Sequence, residues 1–173
     1  MTRLAAVLVV LASLPPGAAR ADDACSAFTW DVHHERELFS QGALDLASGK
    51  ALADAPALAP EKLYELELRA QPEVRFAAPP GHVWPKEATY AGLARLTVEA
   101  AGLYRIALDQ GAWIDVVVKG ALLPLRDSQR RTGCNAPHKI VEFSLPAGEP
   151  VTLQFSASIT PSLKVTVTRA PGQ

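Results

Sequence analysis

Apolar and polar residues alternate with period two through most of the chain beyond residue 60. Between Gly102 and Val118 the runs Tyr104/Ile106/Leu108 and Ile114/Val116/Val118 flank the connector Asp109-Gln110-Gly111. Alternation, β-branched residues and a glycine-containing connector predict an antiparallel hairpin, the centre of an all-β domain. The same grammar predicts strands over 26–30, 63–69, 73–77, 93–99, 122–126, 139–145, 151–156 and 163–168. Their inward sets are Tyr64/Leu66/Leu68, Ala94/Leu96/Val98, Val141/Phe143/Leu145, Val151/Leu153/Phe155 and Leu163/Val165/Val167. Pro124 removes a ladder donor and assigns 122–126 to an edge.

One segment breaks the period. Asp31 offers an N-cap to Val32–Phe39, a predicted helix of about two turns with Leu38 and Phe39 toward the core. Residues 41–60 read as a connector with one short helical turn, 79–92 as a loop of Pro, Gly and aromatics, and 126–139 as a long loop. About nine strands spaced near ten residues predict an antiparallel β-sandwich, jelly-roll-like, with one short N-terminal helix. An up-and-down barrel is the alternative.

The first 21 residues stand outside this pattern. Arg3 precedes the apolar run Leu4–Leu14, Pro15-Pro16-Gly17 breaks any helix, and Ala19-Arg20-Ala21 fits a signal-peptidase site. Eleven apolar residues are too few to span a bilayer. The expectation is a signal peptide over 1–21, a single β-sandwich domain over 22–173, and a periplasmic or secreted protein with no membrane insertion after cleavage. Loss of Arg3 and Arg20 takes the formal charge from −1 to −3, which argues against a nucleic-acid partner. Export makes Cys25 and Cys134, the two cysteines of the chain, an expected disulfide. Closing more than 100 residues, it is worth about 4–5 kcal/mol in the chain-entropy model.

Gly102-Leu103-Tyr104-Arg105-Ile106, Trp113-Ile114-Asp115-Val116 and Leu145-Pro146-Ala147-Gly148 leading into Val151–Phe155 carry a resemblance. The stretch is similar to the jelly-roll domains appended to secreted bacterial proteases, the pre-peptidase C-terminal type. That resemblance implies a jelly roll serving as a targeting or adhesion accessory, expected here without a fused protease. The start Cys25-Ser26-Ala27-Phe28-Thr29-Trp30-Asp31 and the loop Gly133-Cys134-Asn135-Ala136-Pro137-His138-Lys139 resemble a family of small exported proteobacterial proteins, a likeness that implies no biochemical role.

Candidate chemistry falls into three groups. His33 and His34, beside Glu35 and Glu37, are the densest set of metal-ligand types, and with His138 they form a candidate transition-metal site. Adjacent helical histidines point about 100° apart, so such a site needs His138 or His82 brought in by the fold. The loop residues Arg126, Arg130, Arg131 and Lys139 against Asp127 give a net +3, with His138 beside them. Guanidinium forks on a pinned loop suit phosphate, sulfate or carboxylate. Trp84 sits in the Pro/Gly loop where a sugar-stacking platform belongs, and Trp113 shares a strand face with Asp115.

No serine lies in a nucleophile elbow, and no strand carries the His-x-His of a cupin metal site. The sequence therefore predicts a non-catalytic exported binding or accessory module without a cofactor. Its partner is an envelope polyanion, a glycan or a protein, met by Arg126, Arg130, Arg131, His138 and Lys139 with Trp84, Trp113 and Asp115. A periplasmic metal-binding protein using His33, His34 and His138 is the alternative.

Overall fold

Each alternating run has one apolar face to hide, and the computed structural model of the protein hides them between two packed sheets. It describes residues 24–82 and 89–172. The described residues form a helix α1 (His33–Phe39) and twelve strands: β1 (Leu44–Ala47), β2 (Ala57–Leu58), β3 (Tyr64–Glu67), β4 (Arg69–Ala70), β5 (Tyr90–Leu96), β6 (Gly102–Leu108), β7 (Trp113–Val118), β8 (Ala121–Leu122), β9 (Asp127–Arg130), β10 (Lys139–Leu145), β11 (Val151–Ser158) and β12 (Ser162–Arg169). One sheet has the order β1-β3-β12-β6-β10-β9, the other β2-β5-β11-β7-β8, with β4 pairing β5.

Eight of these strands make a jelly roll. Counting β3, β5, β6, β7, β8, β10, β11 and β12 in chain order, first pairs with last (β3·β12) and second with seventh (β5·β11). Third pairs with sixth (β6·β10) and fourth with fifth (β7·β8), all antiparallel. That is one long hairpin rolled into a two-layer barrel. The all-β sandwich expectation holds, with more strands than the sequence suggested. Two short edge pairs, β1·β3 and β2·β5, are parallel, so the sheets are mixed.

The inward sets are those the alternation marks. Ile106, Leu108, Val141, Phe143, Leu153, Phe155, Leu163 and Val165 join one buried cluster with Tyr64, Leu66, Leu96, Ile114 and Val116. The predicted central hairpin, however, does not exist. β6 pairs β10 and β12 in one sheet, while β7 pairs β11 and β8 in the other. Residues 109–112 cross between the layers, anchored where Asp109 Oδ1 accepts from Lys164 N at 2.9 Å. The true tight turn is Lys119-Gly120, φ 53° and 79°, joining β7 to β8. Positive φ at both positions is the type I′ geometry that suits strand twist.

Other expectations shift locally. Residues 26–30 are not a strand. Residues 73–77 form no strand either and lie across the second sheet. Of 122–126 only Leu122 lies in a strand, the short β8 (Ala121–Leu122), and the loop expected over 126–139 begins as edge strand β9. The connector 41–60 holds β1, a 3₁₀ turn at Leu52–Asp54 and β2. Segment 1–21 and Trp84 lie outside the described residues.

Both sheets are buried on both faces, which requires covers. Over the first sheet, Cys25, Phe28 and Val32 pack on Ala107 and Ile140. The Cys25–Cys134 disulfide, with Cα atoms 5.0 Å apart, fixes that cover as the sequence led one to expect. Beneath it, Arg105 is buried. Its Nε donates to Glu142 Oε1 at 2.9 Å and its Nη1 to Asp31 O at 2.6 Å, with Glu35 Oε1 3.5 Å away. The Trp30 ring lies 4.8 Å from the guanidinium carbon. Thr168 Oγ1 donates to Glu35 Oε1 at 2.7 Å, while Glu35 Oε2 is buried with no partner. Removing the cation leaves two buried carboxylates uncompensated. Arg105→Met is expected to cost about 3–5 kcal/mol, read from the urea midpoint and slope. A loss below about 1 kcal/mol contradicts this clamp.

Candidate functional site

The second sheet's cover leads to the site. Residues 71–82 cross its outer face, with Val74 and Phe76 on Ala91 and Leu93. Buried Gln154 on β11 clamps them. Its Oε1 accepts from Ala77 N and Ala78 N at 3.1 and 3.2 Å. Its Nε2 donates to Ala78 O at 3.1 Å and to Asp115 Oδ2 at 3.3 Å. All four hydrogen-bonding capacities of the amide are thereby used. Gly81 N also donates to Asp115 Oδ2, at 3.1 Å. A Cβ at Gly81 would lie 2.8 Å from Asp115 Oδ1, so a larger residue would displace that carboxylate.

Asp115 in turn orients Trp113. The indole Nε1 donates to Asp115 Oδ1 at 2.8 Å, joining the two residues that period two places on one face. His82 stacks on the same indole with centroids 5.0 Å apart. Lys139 Nζ lies 5.5 Å from the ring centroid and donates to Ala112 O at 2.8 Å.

Trp113 and Lys139 border a cleft of about 420 Å³ at one end of the sandwich, lined by Ala112, Ser128, Arg130 and Ile159 among others. The volume falls in the range of small-molecule sites, and so does the mix of apolar wall and few polar groups. Arg130 on β9 stands directly opposite Lys139 on β10 in the ladder. Like charges in that position repel. Burial, and then Arg130, hold the Lys139 ammonium below the ordinary lysine value of 10.5, against a raising pull from Asp115. Among the described residues Arg130 makes no ion pair.

Two further irregularities meet at the cleft. The register of β11 on β5 shifts between Phe155 and Ser158, and Ala157 adopts φ 56°. A non-glycine residue there carries strain. Beyond this bulge Ile159 is 74% exposed, the most exposed large apolar side chain among the described residues.

The sequence candidates thus divide. Arg130, Lys139, Trp113 and Asp115 converge. Arg131 does not: its Nε donates to Ala27 O at 2.6 Å and its guanidinium lies over Phe28, tying down the N-terminal cover. Arg126 lines a separate groove with Lys119 and Glu149 at the opposite end of the sandwich. His138 Nδ1 donates to Cys134 O at 3.1 Å. Ser128, Ala157 and Ile159 line the cleft as well, outside the binding candidates of the sequence. The lone isoleucine in Ser158-Ile159-Thr160-Pro161-Ser162 was the available signal.

Of the three candidate metal ligands, His33 and His34 share Glu37, while His138 is held elsewhere. His33 Nδ1 lies 3.6 Å from Glu37, and His34 Nε2 bonds Glu61 Oε2, which together with neighbouring Glu35 and Glu37 raises the His34 pKa. Glu61 Oε1 accepts from Arg169 N, beside Tyr104 on β6. His138 N donates to Leu108 O, four residues further along that strand, or about 13 Å. Among the described residues no group of three or more His, Cys, Asp or Glu side chains is placed to hold a metal ion. No helix among them is long and apolar enough to cross a membrane.

If the Arg130/Lys139 pair is an uncompensated repulsion, Arg130→Gln is expected to raise the urea midpoint of the ligand-free protein at pH 7. The gain is on the order of 0.5 kcal/mol and shrinks at high salt. An unchanged or lower midpoint contradicts the repulsion. No family model, curated protein or solved structure matches this chain.

Proposed function

We propose that this protein is an exported, non-catalytic binding module that holds an anionic ligand from the cell envelope in the cleft of Trp113, Arg130 and Lys139. One observation carries the reading: two cations face each other across a ladder at the mouth of a cleft, neither of them in an ion pair among the described residues. An anion between them turns a repulsion into two charge-assisted contacts. Inward-pointing charge on an edge strand also deters edge-to-edge pairing, but one cation suffices for that. The left-handed Ala157 and the exposed Ile159 are further local costs gathered at the same place. Rules broken together at one place mark functional sites.

The jelly-roll pairing fits the likeness of 102–167 to protease-appended accessory domains, and an accessory role belongs to the proposal. A long polyanion is the weaker of the expected ligands. Arg131 is committed to the N-terminal cover and Arg126 lines another groove, so among the described residues no continuous cationic track remains.

Titration of the purified protein with acetate, sulfate, inorganic phosphate and heparin at low salt, followed by tryptophan fluorescence, tests this. At least one is expected to saturate at one per chain. Arg130→Ala/Lys139→Met is expected to weaken that binding about tenfold or more, and Arg126→Ala to leave it unchanged. Equal binding by the double variant, or binding by none of the four and by no longer-chain carboxylate, overturns the reading.

A further inference from the structure

We infer that the ligand of this cleft is a small amphipathic carboxylate, a single anionic head on an apolar body. The inference rests on the anion-binding reading and adds the chemistry of the ligand. Three features select it.

The first is the number and kind of donors. Arg130 offers a planar fork with no competing ion pair among the described residues, and Lys139 Nζ has already given one donor to Ala112 O. A fork and an ammonium side by side match the two oxygens of one carboxylate. A repeating polyanion would need cations at further positions, which Arg126 and Arg131 do not supply.

The second is the wall. Ala112, Trp113, Ala157 and Ile159 present apolar surface, Thr89 and Ser128 add one hydroxyl each, and the amide of Gln110 already bonds Ser162 O and Thr160 Oγ1. A sugar, with hydroxyls on every side, would leave many of them without partners against this wall. An alkyl or aryl body gains from covering it. Ile159, at 74% exposure, stands to gain most.

The third is the indole. Trp113 is engaged by His82 and by Lys139. It is a fixed wall of the cleft, held by Asp115, and its ring already has neighbours. Stacking of a pyranose ring is thus a poorer use of it than edge contact with a hydrocarbon chain.

Octanoate and acetate carry the same head and differ in the body, so their comparison is the test. By isothermal titration on the full chain, octanoate is expected to bind at one per chain and at least about tenfold tighter than acetate. The neutral 1-octanol is expected to bind at least about tenfold weaker than octanoate. Arg130→Ala is expected to cost about tenfold or more, and Ile159→Ser about fivefold, with heparin as a polyanion control. Ile159 is exposed, so its variant reports on the wall without endangering the fold. Octanoate no tighter than acetate, or unaffected by Ile159→Ser, overturns the inference. If acetate or phosphate still binds in an Arg130-dependent way, the anion-binding reading survives that failure. If heparin binds at this cleft in preference to octanoate, the ligand is a polyanion and the inference falls alone. If none of the probes binds, both fall.

Discussion

A sheet buried on both faces needs a cover on each side, and the structure rests on how those covers are clamped. The central strands β6, β7, β10, β11 and β12 carry polar residues on their outward faces, where solvent would normally satisfy them. Here Arg105, Glu142 and Thr168 lie under the N-terminal segment, and Gln154 and Asp115 lie under residues 71–82. Buried polar side chains take hold of each cover's backbone: Arg105 at Asp31 O, Gln154 at Ala77 and Ala78, Asp115 at Gly81 N. Both arrangements are specific because a buried donor or acceptor without a partner is costly. The disulfide adds a covalent tie on one side, and the second side has none.

That second clamp also shapes the site. Gln154 shares Asp115 with Gly81, and Asp115 fixes the Trp113 indole on which His82 stacks. The wall of the cleft is thus an extension of the packing under a cover. Its opposite wall comes from the end of the first sheet, where β9 and β10 bring Arg130 and Lys139 face to face. The rolled topology makes these walls meet, because the 109–112 crossing carries the chain from β6 in one layer to β7 in the other.

Period two reports which side chains point inward, and on that the sequence was a good guide: each predicted inward set lies in or against the main core. It says nothing of which strand lies beside which. Tyr104/Ile106/Leu108 and Ile114/Val116/Val118 alternate the same way whether they are neighbours in one sheet or face each other across the core, so the hairpin was a natural misreading. The covers were illegible for a related reason. Residues 73–77 look like a strand, yet their backbone joins no ladder: Val74 N donates to Gln71 O, Arg75 N to Lys50 O, and Ala77 N to the Gln154 side chain. At the cleft, the shared face of Trp113 and Asp115 was readable from spacing. The opposition of Arg130 and Lys139 was not, because Asp127–Arg130 carries no apolar alternation to mark it as a strand. Arg131, adjacent in sequence and chemically alike, points to the other face and serves the fold.

The account stands on the claim that Arg130 and Lys139 form a cationic pair left unneutralised until a ligand arrives. Lys139 is faced by Arg130, Asp115, the Trp113 ring and Ala112 O. A lysine whose native value is lowered costs stability at neutral pH. That cost is relieved as pH rises from the lowered value toward 10.5, where the unfolded chain still holds the proton. The direct measurement is an NMR titration of the Lys139 side chain in the ligand-free protein and in Arg130→Gln. The account predicts titration below 10.5, moving upward in the variant. Titration at or above 10.5, indifferent to Arg130, would contradict it.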